Sequence, residues 1–121
     1  MEEFNEWLDE VLENELPDTV KAINFNLYDD GDNVWSVELI GASRFDPDDE
    51  DWACDEVFTT REEPLTWEED TSSLDIQEQA YNAIKEYLES GLYADKLKQY
   101  EGVGVGFVDG ELFIVYTAKE E

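Results

Sequence analysis

Histidine is absent from the sequence, and this absence removes the side chain that most often acts as a general base in catalysis. Catalytic triads that depend on histidine are excluded with it. The chain has one cysteine, Cys54, so it cannot form an internal disulfide, and zinc ligation by cysteine and histidine is also excluded. Acidic residues surround Cys54 and disfavour a reactive thiolate, so we expect it to be a buried strand residue rather than a nucleophile.

Basic residues are scarce as well. Seven lysines and arginines stand against 34 aspartates and glutamates, and the formal net charge is −27. Direct binding to nucleic acid or to an anionic membrane needs clustered positive charge, so neither is predicted. The chain has no run of roughly 18 apolar residues that could span a bilayer, and its acidic start lacks the features of a signal peptide. Together with the single cysteine, this predicts a cytoplasmic protein.

The chain nevertheless has enough apolar material to fold. Hydrophobic residues make up 41% of its 121 residues and aromatic residues 13%, which predicts one domain over residues 1–121. The charge is uneven, because residues 1–70 hold 24 acidic and three basic residues, whereas residues 71–121 hold 10 acidic and four basic residues. A generally acidic proteome is one explanation of this charge, and a surface for a basic partner is another.

Two segments have the periodicity of amphipathic helices. Apolar side chains recur at spacings of three and four residues from Phe4 to Leu12, and Pro17 marks the end of this helix. Residues 72–90 repeat the pattern, with Ser72 as the predicted N-terminal cap and Gly91 as the stop.

Period-two alternation predicts the strands. Residues 23–27 and 35–39 are expected to form a hairpin about Asp30-Gly31, and "WACDEVFTT" is a third strand. The segment "REEPLTWEEDTSS" is predicted to be a loop. "GVGVGFVDGELFIVYT" gives two more strands about Asp109-Gly110, and apolar residues on both faces of the last one place it centrally in the sheet.

These elements predict an α+β fold in the order helix-β-β-β-helix-β-β. We expect an antiparallel sheet of about five strands with the helices packed on one face. Gly104 and Gly106 fall on one face of a strand, where we expect another part of the backbone or a helix to come close. A phosphate-binding loop is not predicted there, because the G-x-G-x-x-G spacing is absent.

The stretch "FDPDDEDWACDE", residues 45–56, has the composition of a calcium-binding loop but not its pattern. In an EF-hand loop beginning at Asp46, Asp51 takes the place of the glycine and Val57 that of the last glutamate. A loop beginning at Asp30 fails in the same way. No pair of carboxylates stands out as a glycosidase site, so we expect no cofactor, no structural metal and no enzyme activity.

Recognition of a basic partner is the function that these patterns favour. Tryptophan is a common anchor of protein interfaces, and surrounding carboxylates steer a basic partner into contact. The sequence leaves open whether Trp52 and Trp67 are such anchors or core residues. The predicted partner-binding residues are Asp46, Asp48, Asp49, Glu50, Asp51, Trp52, Asp55, Glu56, Trp67, Glu68, Glu69 and Asp70.

Three stretches, "INFNLYDDGDNVWSVELIG", "DWACDEVFTTREEPLTWEE" and "GVGVGFVDGELFIVYT", resemble the small acidic immunity proteins of bacterial polymorphic-toxin systems. The resemblance implies a cytoplasmic protein that binds one cognate toxin and blocks its active site or substrate groove. It assigns no role to any individual residue. A nuclease toxin is a fitting target, because its substrate groove must be basic.

Three alternatives stay open. A DNA mimic would occupy the site of a DNA-binding protein, with the first helix and residues 46–56 forming one elongated acidic face. A divalent-cation binder would use the acidic loop for Ca²⁺ or Mg²⁺. An adaptor domain of an acidic proteome would carry its charge without a specific basic partner. The sequence does not predict an oligomeric state.

Overall fold

The computed structural model describes residues 3–46, 48–108 and 110–118. Within these residues the chain forms three α-helices, six strands and one short 3₁₀ helix. In chain order the elements are α1 (Phe4–Glu13), β1 (Ala22–Gly31), β2 (Val34–Ala42), the 3₁₀ helix (Glu50–Cys54), β3 (Glu56–Thr59), β4 (Leu65–Glu68), α2 (Ser73–Ser90), α3 (Ala94–Leu97), β5 (Gly102–Phe107) and β6 (Phe113–Thr117). The α+β class is therefore confirmed.

The strands form one mixed sheet, and the prediction of a wholly antiparallel sheet of about five strands is wrong. The strand order is β3-β2-β1-β5-β6, and β4 pairs with the same edge of β2 as β3 does. β1 and β5 are parallel, because α2 and α3 carry the chain back along the sheet before β5 begins. Local sequence patterns do not reveal a pairing between strands so far apart in the chain.

Two short edge strands differ from the predicted ones. Of the stretch "WACDEVFTT", the first residues belong to the 3₁₀ helix and only Glu56–Thr59 forms a strand. β4 lies in the segment predicted to be a loop, directly after Pro64. A strand of four residues is too short to show a clear alternation, and its pairing with Val34–Val37 of β2 is what defines it.

β6 lies at the edge of the sheet, not at its centre as predicted. It is apolar on both faces because both faces of the sheet are covered. Val115 and Tyr116 pack on the helix side, and Ile114 packs against a second, smaller core on the other side. The hairpin that leads into β6 was predicted about Asp109-Gly110, and Asp109 lies outside the described residues.

The helices pack on one face of the sheet, as predicted. Alternate strand residues, including Phe25, Leu39 and Val105, form the main core with α1 and α2. Tyr87 of α2 donates a hydrogen bond from its hydroxyl to Asp9 Oδ1 of α1 at 2.7 Å, which joins the two helices. No helix of the described part of the chain is long and apolar enough to cross a membrane.

The opposite face of the sheet is divided into an apolar end and a polar end. At the apolar end, Ala22, Ile40 and Ala42 are buried beneath Trp52 of the 3₁₀ helix. At the polar end, the side chains of Asn24 and Glu38 are almost wholly buried although both residues are polar. Buried polar groups need hydrogen-bond partners, so this end must contain an organised network.

Candidate functional site

The acidic segment after β2 is ordered by its own carboxylates. Asp46 Oδ1 accepts a hydrogen bond from the backbone N–H of Asp48 at 3.0 Å, and Asp49 Oδ1 accepts one from the N–H of Asp51 at 3.0 Å. Aspartate side chains commonly stabilise turns in this way. The second bond also caps the N-terminus of the 3₁₀ helix.

Trp52 is not the exposed partner anchor that the sequence allowed. Only 1% of its surface is exposed, and its ring packs against Phe45 with centroids 4.9 Å apart. A buried indole in the small second core cannot touch a partner in this conformation. Trp52 instead fixes the acidic segment to the sheet.

Trp67 of β4 is half-buried and packs against the main core. It lies opposite Trp35 in the register of β2 and β4. Its Nε1 is buried and has no hydrogen-bond acceptor among the described residues. Trp67 is only partly buried, and its role as a partner contact stays a prediction.

The predicted carboxylates of the first group form one surface, which we call the loop surface. Its members are Asp46, Asp48, Asp49, Glu50, Asp51, Asp55 and Glu56. All of them are exposed except Asp46, which is half-buried. Arg44 pairs with Asp55 and, at 3.9 Å, with Asp49. Arg61 pairs with Glu56 at 3.0 Å.

The second predicted group, Glu68, Glu69 and Asp70, lies far from the loop surface. Glu56 is paired with Ala42 at one end of β2 and Glu68 with Val34 at the other, a separation of eight strand residues, or roughly 26 Å. The structure therefore does not bring the two groups together.

The second group instead adjoins the turn between β1 and β2. The backbone N–H of Glu69 donates to the carbonyl oxygen of Asn33 at 2.8 Å, which fixes the end of β4 to this turn. We call the combined acidic patch the hairpin-end surface. Its residues are Asp29, Asp30, Asp32, Glu68, Glu69 and Asp70.

The DNA-mimic alternative predicts that α1 and residues 46–56 share one elongated acidic face. α1 packs on one face of the sheet, whereas the 3₁₀ helix of the acidic segment packs on the other. The sheet therefore lies between these two elements, and the shared face stays a prediction.

A buried polar network lies beside the loop surface, and the sequence analysis missed it. Glu38 of β2 has 1% of its surface exposed. Its Oε2 accepts hydrogen bonds from Asn26 Nδ2 at 3.0 Å and from the Tyr28 hydroxyl at 2.6 Å. Arg61 donates to both carboxylate oxygens, at 3.0 and 3.2 Å. Asn24 Nδ2 extends the chain by donating to Asn26 Oδ1 at 2.7 Å.

The network shifts the pKa values of its members. Burial alone would raise the pKa of Glu38, but the hydrogen bonds from Arg61, Asn26 and Tyr28 outweigh burial and lower it below the ordinary value. Burial, followed by the hydrogen bond to Glu38, raises the pKa of Tyr28 to about 12. Glu38 is therefore ionised and Tyr28 is neutral at neutral pH.

A cavity of about 330 Å³ opens between this network and the 3₁₀ helix. Asn24, Asn26 and Tyr28 line it from the sheet, and Glu50, Asp51 and Glu56 line it from the acidic segment. Cys54 also lines the cavity and is exposed, so the prediction that it is a buried strand residue is wrong. Cys54 ends the 3₁₀ helix that precedes β3.

One sequence feature could have indicated the network. Glu38 interrupts the apolar run of β2, and in a strand that is buried on both faces such a residue needs a buried partner. Asn24 and Asn26 alternate with apolar residues, and this alternation alone is typical of a strand with one polar, solvent-facing side. Arg61, the partner of Glu38, could not be identified from the sequence, because the segment "REEPLTWEEDTSS" has no clear period of apolar residues.

Two results bear on metal binding by this chain and on its relation to known proteins. Within the described residues, no group of three cysteine, histidine, aspartate or glutamate side chains is placed to hold a metal ion. Comparison of the chain with protein-family models, with curated proteins and with solved structures gives no match.

Proposed function

We propose that this chain is a non-catalytic binding protein that inhibits a basic protein partner by charge and shape complementarity. In the form that the sequence resemblance favours, it is a cytoplasmic immunity protein, and its partner is a cognate bacterial toxin such as a nuclease. The basic substrate groove of a nuclease is a surface that a folded polyanion could occupy.

The observation that carries this proposal is the ordered and largely uncompensated loop surface. Trp52 is buried beneath the segment, and the turns at Asp46 and Asp49 fix its backbone. Because the backbone of the segment is ordered before binding, little backbone conformational entropy would be lost when a complex forms. Arg44 and Arg61 form ion pairs with three of the seven carboxylates, Asp49, Asp55 and Glu56, and the other four leave the surface strongly negative.

The test begins with capture of binding proteins from a lysate of the source organism on the immobilised chain, followed by elution with a salt gradient. A specific partner should be one basic protein that stays bound at salt concentrations that screen exposed charges, about 1 M. Its identity separates a toxin from a DNA-binding protein, which is the prediction of the DNA-mimic alternative. A mixture of cationic proteins released at low salt would contradict the proposal.

Binding kinetics with the captured partner then test the surface itself. The triple variant Asp48→Asn, Asp49→Asn, Asp51→Asn removes three charges but retains the side-chain oxygen that stabilises the turn at Asp49. We expect association to slow by about threefold to tenfold and its salt dependence to weaken, because charge mainly controls the association rate.

The matched control removes the same charge elsewhere. Glu78, Glu86 and Glu89 lie exposed on α2, and their replacement by glutamine removes three charges from the less acidic half. We expect this variant to associate almost as fast as the unaltered chain. Equal slowing by the two triple variants would mean that net charge alone acts, and the loop surface would lose its assigned role.

A further inference from the structure

We propose that Arg61, in the segment between β3 and β4, is a specificity-determining contact that donates hydrogen bonds from Nη1 to a neutral carbonyl oxygen of the basic partner. This inference rests on the proposed function and adds to it one recognition residue. The carboxylates of the loop surface would attract the partner, and Arg61 would recognise a single oxygen atom on it. Glu38 is the positioning residue that holds the arginine ready.

The first argument is the fixed orientation of the Arg61 side chain. Its Nε and Nη2 donate to the two carboxylate oxygens of Glu38, at 3.0 and 3.2 Å. The Glu38 side chain is 1% exposed, and Asn26 and Tyr28 donate to the same carboxylate. A planar guanidinium bound through two of its nitrogen atoms to a buried carboxylate has one orientation. The side chain is therefore ordered before a partner arrives, which lowers the entropy cost of binding.

The backbone beside Arg61 is also held against β2. Thr60 donates from its N–H to the carbonyl oxygen of Leu39 at 3.0 Å, and the N–H of Leu39 donates to Thr60 Oγ1 at 2.9 Å. The arginine therefore extends from an anchored point of the chain.

The second argument is an unused donor on an exposed side chain. Nη2 donates to both oxygens of Glu56 as well, at 3.0 and 3.1 Å. Nη1 lies on the edge of the guanidinium that is turned away from Glu38, and it forms no hydrogen bond with any described residue. It carries two N–H groups. Because 54% of the Arg61 side chain is exposed, a partner is able to supply the acceptor.

The third argument is the position of Arg61 between two concave surfaces. It lines the cavity of about 330 Å³ beside the loop surface and also a groove of about 1060 Å³ along α1. Its ion-pair partner Glu56 belongs to the loop surface. A partner that covers the loop surface would therefore reach Arg61. Arginine is one of the residues most often found where interfaces gain their binding energy.

The charge around Arg61 indicates what kind of acceptor it would bind. Glu38 and Glu56 already bind the guanidinium, and both would repel a third carboxylate at Nη1. A backbone carbonyl oxygen, or the amide oxygen of asparagine or glutamine, accepts a hydrogen bond without this repulsion. The proposal is therefore a neutral oxygen on the partner.

The test compares the only two arginines of the chain. Arg61→Lys keeps the positive charge beside Glu38 but removes Nη1. Arg44→Lys makes the same change where both paired carboxylates are about half exposed. With the captured partner, Arg61→Lys should speed dissociation by about tenfold and leave association unchanged, because loss of a close contact affects mainly the dissociation rate. Arg44→Lys should change dissociation by less than about twofold, and equal effects of the two variants would overturn the proposal.

A second variant keeps the test valid if Arg61→Lys does not fold. Glu38→Gln combined with Arg61→Gln removes one negative and one positive charge, so the net charge stays at −27. Loss of both members of a buried ion pair is tolerated better than loss of one. We expect this variant also to dissociate about tenfold faster, and an unaltered dissociation rate would overturn the proposal.

Salt identifies the acceptor. The ratio of the dissociation rates of Arg61→Lys and the unaltered chain should stay constant from about 0.1 to about 0.5 M sodium chloride, because both side chains carry the same charge and a neutral acceptor adds none. A ratio that falls toward one as salt rises would overturn the assignment of a neutral acceptor.

The fixed orientation of Arg61 is measured without a partner. Relaxation of the two arginine Nε–H groups in ¹⁵N spectra gives an order parameter for each side chain. We expect about 0.8 for Arg61 and less than about 0.6 for Arg44. Glu38→Gln should lower the value of Arg61, because a neutral amide binds a guanidinium less strongly than a carboxylate does. An Arg61 as mobile as Arg44 in the unaltered chain would overturn the proposal.

This inference and the proposed function fail in different ways. If the triple variant of the loop surface slows association but Arg61→Lys leaves dissociation unaltered, the contact at Arg61 is overturned and the proposed function stands. If no basic partner is captured, both are overturned, and a rigid Arg61 would then serve only the stability of the fold.

Discussion

Arg61, in the segment between β3 and β4, forms two hydrogen bonds with the carboxylate of Glu38 on β2, at 3.0 and 3.2 Å. The side chain of Glu38 is 1% exposed, whereas that of Arg61 is 54% exposed, so the pair joins the interior of the sheet to its surface. β3 pairs with Ile40–Ala42 of β2, and β4 pairs with Val34–Val37 on the same edge. Neither strand pairs with the middle of that edge, where Glu38 lies. The arginine holds the connecting segment over that interval.

The first prediction concerns the stability that this pair provides. Glu38→Gln should lower the free energy of unfolding by about 1–3 kcal/mol, because it leaves buried donors of the network without their charged acceptor. Urea unfolding at pH 7 measures the change. Glu62→Gln, in the same exposed segment, is the control and should stay within about 0.5 kcal/mol of the unaltered chain. Equal stability of the two variants would mean that the network contributes nothing.

The pH dependence of the same difference gives a second prediction. The pKa of folded Glu38 lies below its ordinary value of 4.5, so the folded state favours the ionised form. The resulting stabilisation is complete above the ordinary pKa and is lost as the pH falls through the pKa of the folded state. The stability gap between the unaltered chain and Glu38→Gln should therefore narrow below about pH 4.5. A gap that stays constant from pH 7 to pH 3 would contradict the lowered pKa.

Gly106 provides a third prediction, on the packing of β5. A Cβ at this position would collide with the backbone carbonyl oxygen of Glu111, which cannot move aside as a flexible side chain can. Gly106→Ala should therefore destabilise the chain by about 1–3 kcal/mol. Gly110→Ala is the matched control, because the nearest atom to its Cβ, in Phe107, is 3.6 Å away. If Gly106→Ala left the free energy of unfolding unchanged, the backbone at Glu111 would be able to move away from β5 at little cost.

The sequence predicted the features that depend on local pattern. The α+β class, the two long helices and the close backbone approach at Gly106 all follow from periodicity or residue type, and the structure confirms them. The parallel pairing of β1 with β5 and the edge position of β6 depend on contacts between distant segments. No local pattern encodes such contacts, so both were missed.

In the candidate site, too, local features could be predicted and features that depend on distant contacts could not. The exposure of most loop-surface carboxylates could be predicted, because an acidic loop is usually solvated wherever the fold places it. The burial of Trp52 could not be predicted, because it depends on the second core on the far side of the sheet. The partnership of Glu38 and Arg61 also depends on the fold, since 23 residues separate the two in the chain.

The fourth prediction tests Trp52 as the residue that fixes the acidic segment. Trp52→Ala should lower the free energy of unfolding by about 3–5 kcal/mol, because it removes a large buried side chain from a small core. Val57→Ala, at a position 43% exposed, should have an effect within about 0.5 kcal/mol and serves as the control. Both are measured by urea unfolding. A mild effect of Trp52→Ala would mean that the indole is not packed in the core.

The last prediction concerns the net charge of −27. Ion pairs in the described ranges involve only Arg44 and Arg61, so most carboxylates repel one another without compensation. Salt screens this repulsion, and a rise in sodium chloride from about 0.01 M to about 0.5 M should increase the melting temperature by about 5 °C or more. The α2 variant with Glu78, Glu86 and Glu89 replaced by glutamine should gain less from salt.

The same measurement separates screening from specific cation binding. Calcium and magnesium chloride at one concentration should raise the melting temperature equally, because both screen charge alike and no cluster of metal-ligating side chains is present among the described residues. A larger rise with calcium would favour the divalent-cation alternative, since Ca²⁺ and Mg²⁺ differ in the number and geometry of the oxygen ligands they require. A melting temperature that does not change with salt would instead mean that repulsion among the carboxylates contributes little to the stability of this fold.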